Sequence, residues 1–153
     1  MISDRLIPDF TSGWEFTGLK DTSLFFLNVG TILSPGSVLV LEEGSMARDV
    51  RSFVEQRAVS PGGRLGPGTI WPRSRWHWVP VNPEVLDGLA ALSKRHAEPE
   101  ICDHLYTVSE GELTAMWHDA FDGPLLVSSV VSKTQVREFA QAVGVEPTQW
   151  NAG

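Results

Sequence analysis

The 153-residue chain predicts a single α+β (or mixed α/β) domain. The expected layout is about six strands in a mixed or mostly antiparallel sheet, with three amphipathic helices on one of its faces. Three observations carry that expectation. Stretches with apolar residues at three- and four-residue spacing start behind capping residues. Short β-rich runs lie between them. Most of the 10 prolines and 14 glycines fall between the two kinds of segment, as punctuation. A chain of this length buries roughly two-thirds of the surface its unfolded form exposes, enough for one core.

Residues 1–20 read as an irregular or short-strand lead-in anchored by Phe10, Trp14 and Phe16. The run SLFFLNVGTIL, 23–33, is rich in aromatic and branched residues and reads as a strand. The S-P-G-S turn at 34–37 joins it, as a hairpin, to a short buried strand, VLVLEE. Ser45 then caps a helix running to about Ala58, with Val50, Phe53 and Val54 on its inner stripe. SPGGRLGPG, 60–68, ends that helix as a long loop. TIWPRSRWHWVPV, 69–81, follows as a strand. Alternation places Ile70, Trp76 and Trp78 on one side, read as core. Trp71, Arg73, Arg75, His77 and Val79 fall on the other. That side is a candidate binding row, because arginine forks hold carboxylates and phosphates bidentately.

Asn82-Pro83-Glu84 supplies cap, first-position proline and first-turn acid for a helix that buries Val85, Leu86, Leu89 and Leu92. Lys94, Arg95 and His96 occupy its last turn. Ile101–Val108 and Glu112–His118 then form a hairpin about Glu110-Gly111. The register that pairs Ser109 with Glu112 sets Asp103 opposite His118. It also puts Tyr106, Val108, Leu113, Ala115 and Trp117 on one apolar face. Asp122-Gly123 turns the chain into PLLVSSVV, a third strand. Ser132 and Gln135 make a capping box for a last helix through Val136, Phe139, Ala140 and Val143, closed by Gly144. Residues 145–153 are expected to be a loosely docked tail.

Function is less legible. The formal net charge is −7, which argues against a general affinity for nucleic acid or anionic membrane. The charge is segregated. From Gln56 to Pro83 there are four arginines and no acid; from His96 to Ser132 there are seven acids and no lysine or arginine. The two blocks are read as neighbours that neutralise each other, or as opposed poles of which one meets a partner. The N-terminal sequence lacks an apolar run of signal-peptide length, and no segment reaches the roughly 18 apolar residues of a spanning helix. A single cysteine, Cys102, leaves no internal disulfide. A cytoplasmic protein is the expectation, with oligomeric state left open. P-loop, dinucleotide-binding and nucleophile-elbow motifs are absent, and no C-x-x-C or H-x-x-x-H spacing suggests a metal, so no cofactor is expected.

Three functional expectations follow, the first preferred. A non-enzymatic interaction module of the small inhibitor, immunity or accessory type would bind a basic partner through an acidic hairpin surface of Asp103, Glu110, Glu112, Asp119 and Asp122. A hydrolase or metal-assisted enzyme would use Asp103, His118 and Asp119, with Arg73 and Arg75 on an anionic substrate. A small-molecule or single-stranded nucleic-acid binder would use Arg73, Arg75 and Trp71.

Overall fold

The computed structural model describes residues 12–60 and 75–150 in full, and the backbone alone of 5–6, 64–65 and 151. In chain order the elements are β1 (Arg5–Leu6), β2 (Ser12–Phe16), α1 (Thr22–Asn28), β3 (Val38–Glu43), α2 (Arg48–Arg57), β4 (Arg64–Leu65), β5 (Arg75–Pro80), α3 (Pro83–Ser93), β6 (His104–Ser109), β7 (Glu112–Trp117), β8 (Leu125–Ser128), α4 (Lys133–Val143) and β9 (Thr148–Asn151). Seven strands make one sheet in the order β5-β3-β6-β7-β8-β2-β9, antiparallel at every pairing. A separate parallel pair joins β1 to β4. The α+β class and the single-faced helical layer agree with the sequence expectation; the sheet has one strand more than expected and the helical layer one helix more.

The extra helix comes from the run read as a strand. Asp21 caps α1, its carboxylate accepting the Leu24 N–H at 2.9 Å. Phe25, Phe26, Val29 and Ile32 then recur at helical spacing and are all buried. A 3₁₀ turn, Val29–Ile32, carries the chain out of α1, so no hairpin joins this segment to β3. Helix α2 starts later than expected: its cap is Ala47, without a side-chain hydrogen bond, and Ser45 takes no part. The predicted tail is also corrected. Residues 148–151 form β9, an edge strand paired with β2 from Ser12↔Asn151 to Glu15↔Thr148.

Helices α3 and α4 are as the sequence predicts. Asn82 Oδ1 accepts the Val85 N–H at 2.9 Å ahead of α3, though the helix closes at Ser93, before the Lys94–His96 cations. Ser132 and Gln135 form a reciprocal capping box, and Gly144 closes α4 in the left-handed conformation, φ 71°.

The main core lies between the helices and one face of the sheet. Phe25 and Phe26 (α1), Val50 and Val54 (α2), Leu89 (α3) and Phe139 (α4) meet Phe16, Leu39, Leu41, Val79, Leu105, Trp117 and Val127. At its centre Trp117 has its ring centroid 4.9 Å from that of Phe25 and 4.7 Å from that of Phe121. The opposite face carries a second buried cluster, Val40, Trp78, Tyr106, Val108, Leu113 and Met116, with Trp76, Leu126 and Trp150 beside it.

Strand β5 therefore has its two sides, but with different roles from those expected. Trp76 and Trp78 join the second cluster, while His77 and Val79 face the helices and are 4% and 0% exposed. Of the described residues in the row expected to bind ligands, His77 and Val79 are buried and Arg75 is exposed. His77 Nε2 lies 3.0 Å from Glu43 Oε1, and Arg51 Nε of α2 donates to the same oxygen at 3.0 Å. Arg75 pairs with Glu55 of α2 at 3.2 Å. Trp71 and Arg73 lie outside the described residues.

Candidate functional site

The Glu110-Gly111 turn has positive φ at both positions, 52° and 80°, the geometry of a type I′ hairpin. Ser109 pairs with Glu112 and Val108 with Leu113, as the sequence predicts. Then the register shifts: Thr107 pairs with Ala115 and Leu105 with Trp117, leaving Thr114 as an extra residue. This bulge overturns the rest of the predicted register. Asp103 does not pair with His118; His104 takes that neighbour instead, the two histidine rings having centroids 5.1 Å apart. Ala115 and Trp117 leave Tyr106 and Val108 for the helix-covered face, where Thr107 and Thr114 share a 2.7 Å hydroxyl contact.

The open end of the hairpin brings together residues from four segments. Glu42, near the end of β3, is 3% exposed and its Oε2 lies 3.9 Å from His104 Nε2. Of the two acids that end β3, Glu42 belongs to this site and Glu43 to the α2 seam. The His118 ring packs edge-on to both His104 and Tyr106, the latter at 5.7 Å. Burial, seconded by His104, holds the His118 imidazole below its usual range against the opposing pull of Asp119 and Glu42. Burial, with Glu42 adding to it, pushes the Tyr106 phenol up to about 12. Cys102, 1% exposed, is held as the neutral thiol by burial and by Asp103 and Glu42.

Below these side chains the backbone makes a tight corner. The Asp103 N–H donates to Glu42 O at 2.9 Å, and the Ala120 N–H donates to Asp103 O at 2.8 Å. The Asp119 N–H donates to His104 Nδ1 at 2.9 Å. Asp119 O accepts from both Asp122 N–H (2.9 Å) and Gly123 N–H (2.8 Å). Trp117 Nε1 donates to Gly123 O at 2.7 Å. Asp119 and Phe121 have φ of 50° and 73°. Aspartate tolerates that region; for phenylalanine it costs on the order of 1–2 kcal/mol. The strain is offset by burial, since Phe121 is 1% exposed and packs on Trp117, Phe25 and Phe26.

The corner exposes Asp103, Asp119 and Asp122, none of them in an ion pair with another described residue. Glu110 and Glu112 are also exposed, but at the other end of the hairpin. A six-residue strand at about 3.4 Å per residue separates the ends by roughly 17 Å. The acidic surface expected as one patch is two. Nor do the basic and acidic blocks neutralise each other among the described residues. Strand β3 stands between β5 and β6, and the described arginines of the basic block are answered by helical acids, Arg57 by Glu84 and Arg75 by Glu55.

A shallow cleft of about 540 Å³ lies elsewhere, against Ala47, Arg48, Asp49, Ser52 and His96. Two of its polar groups pair with each other: Asp49 Oδ1 is 2.7 Å from His96 Nε2, whose hydrogen bond holds the Asp49 carboxyl below its usual range. Among the described residues no three histidine, cysteine or acidic side chains are grouped to hold a metal ion, and no helix is long and apolar enough to cross a membrane. Comparison with known protein families, with curated proteins and with solved structures gives no match to this chain.

Proposed function

We propose that the protein is a non-enzymatic interaction module that binds a basic protein partner through Asp103, Asp119 and Asp122 at the open end of the β6–β7 hairpin. One observation supports this reading above the others. Three carboxylates without a cationic partner among the described residues stand on a corner fixed by six hydrogen bonds. Carboxylates so presented steer a cationic surface into place, and a corner ordered before binding loses little entropy on contact. The reading narrows the five-acid surface expected from sequence to its three-acid half.

The test is native mass spectrometry of complexes captured from the host lysate, with three baits. Wild type is expected to retain a stoichiometric basic protein. The D103N/D119N/D122N variant loses it, and E110Q/E112Q keeps it. The association rate should fall steeply as salt rises. Undiminished capture by the triple variant, or a salt-independent rate, would refute the reading.

A second reading, acid–base catalysis, has one observation in its favour. His118 is exposed at the surface yet desolvated enough, with His104 beside it, to hold its imidazole below the usual range, and it is flanked by the buried Glu42. It revises the catalytic set from Asp103, His118 and Asp119 to Glu42, His104 and His118. Turnover on a substrate panel that disappears in H118A would favour it.

A further inference from the structure

We infer that His104 is a proton-sensitive latch on the acidic corner: the corner is closed while the imidazole is neutral and opens when it takes a proton. The inference rests on the proposed binding role of Asp103, Asp119 and Asp122 for its biological meaning, and on one hydrogen bond for its physics. The Asp119 N–H points at His104 Nδ1 from 2.9 Å. A backbone N–H can only donate, so Nδ1 must offer a lone pair, and the ring's own proton sits on Nε2. Glu42 Oε2, 3.9 Å from Nε2, favours that arrangement. Most backbone groups in a tight turn bond to other backbone groups, which are indifferent to pH. Here the N–H that starts the corner bonds to the one side-chain type whose charge ordinarily changes between pH 5 and 8.

Protonation can occur only at Nδ1, the free site. It sets two N–H donors head to head, and the bond becomes a repulsion. Asp119 N–H then lacks an acceptor at the start of a turn already strained at Asp119 and Phe121. The same residue's carbonyl organises the rest of the corner, accepting from Asp122 and Gly123, so its displacement moves both exposed acids. The charge works in the same direction, placing a cation beneath the carboxylates that are to meet a cationic partner.

The groups facing His104 come from each element around it. Glu42 faces it from β3, and His118 and Asp119 from the end of β7 and its turn. Tyr106 follows it on its own strand and Asp103 precedes that strand, with the buried thiol of Cys102 beyond. Of the two neighbouring rings, His104 alone accepts a hydrogen bond from the corner.

The experiment follows the Asp119 amide and the His104 ring by NMR in ¹⁵N-labelled protein without any partner, from pH 8 to 5. In wild type the Asp119 amide should shift upfield and lose its exchange protection with the same midpoint as the His104 ring, while Gly111, at the far turn, stays put. H104N offers a carbonyl oxygen near the place of Nδ1, accepts the same N–H and does not titrate. In it the Asp119 amide should remain protected and flat across the range. An Asp119 amide that ignores the His104 titration, a His104 ring that does not titrate over this range, or the same pH response in H104N overturns the latch. These results do not depend on the partner, so a failed capture by the acidic corner and a failed latch are separate outcomes.

Discussion

Replacing Glu43 by alanine tests whether the inner row of β5 is a structural seam instead of a ligand face. Glu43 Oε1 takes both His77 Nε2 and Arg51 Nε at 3.0 Å. The His77 side chain is 4% exposed and that of Glu43 13%, so their hydrogen bond is worth about 1.5–3 kcal/mol. Arg51 is 38% exposed and screened, adding roughly 0.2–1 kcal/mol. E43A should therefore lose about 3 kcal/mol, equivalent to a fall in Tm of roughly 6–12 °C for a domain of this size. E43Q keeps an acceptor and should lose about 1 kcal/mol. Burial alone would raise the Glu43 carboxyl, but its bonds to His77 and Arg51 outweigh burial and hold it below 4.5. A depressed carboxylate stabilises fully above its unfolded value and loses that contribution as pH falls through the folded one. The gap between wild type and E43A should accordingly close as pH falls below 4.5. Urea titrations followed by tryptophan fluorescence measure both. An E43A variant within about 0.5 kcal/mol of wild type at pH 7 refutes the seam.

Three further outcomes are expected. In G88A the helix-propensity gain of about 1 kcal/mol is opposed by a new Cβ against the Phe53 ring, which the Arg57 guanidinium covers at 3.9 Å. Overpacking of that kind costs about 1–3 kcal/mol, so a net loss is expected and a more stable G88A would show that the ring yields. E110N should stabilise the hairpin by about 0.5 kcal/mol, because asparagine enters the positive-φ position of a type I′ turn more readily than glutamate; a lower urea midpoint would contradict this. His118 is held below its unfolded value of 6.5, so the folded state binds fewer protons and wild type should lose stability relative to H118Q as pH falls through 6.5. Parallel pH–stability curves for the two proteins would rule that out.

The parts of the fold legible in the sequence are those in which local chemistry and tertiary packing agree. Asn82-Pro83 and Ser132 with Gln135 announce α3 and α4, and Glu110-Gly111 announces its turn, because each motif satisfies backbone groups within a few residues. Helix α1 was hidden because composition and period conflict there. Two adjacent phenylalanines and branched residues look like strand, while the spacing of Phe25, Val29 and Ile32, together with the cap at Asp21, is helical. Spacing prevails because it lets one face bury. The role of the inner row of β5 was equally hidden. Alternation names two sides of a strand but not which of them meets a helix, and here α2 brings Arg51 and Glu55 to the side that carries His77 and Arg75.

The site itself turns on one residue. A hairpin with a two-residue turn and no bulge pairs Asp103 with His118 and parts the histidines. That register reads well in the sequence because one apolar face is enough to explain it. Strands β6 and β7, however, are buried on both faces, and a sheet with two apolar sides does not punish a slip as a half-solvated sheet does. Thr114 can then be accommodated as an extra residue, held by Thr107 through a hydroxyl contact and a 3.3 Å bond to its carbonyl. Beyond the bulge every partner moves by one. Leu105 and Trp117 face the helices together, and His104 is carried under the Asp119 N–H. A substitution that removed the bulge would therefore disturb the acidic corner from the far half of the hairpin, without touching any residue that binds or titrates.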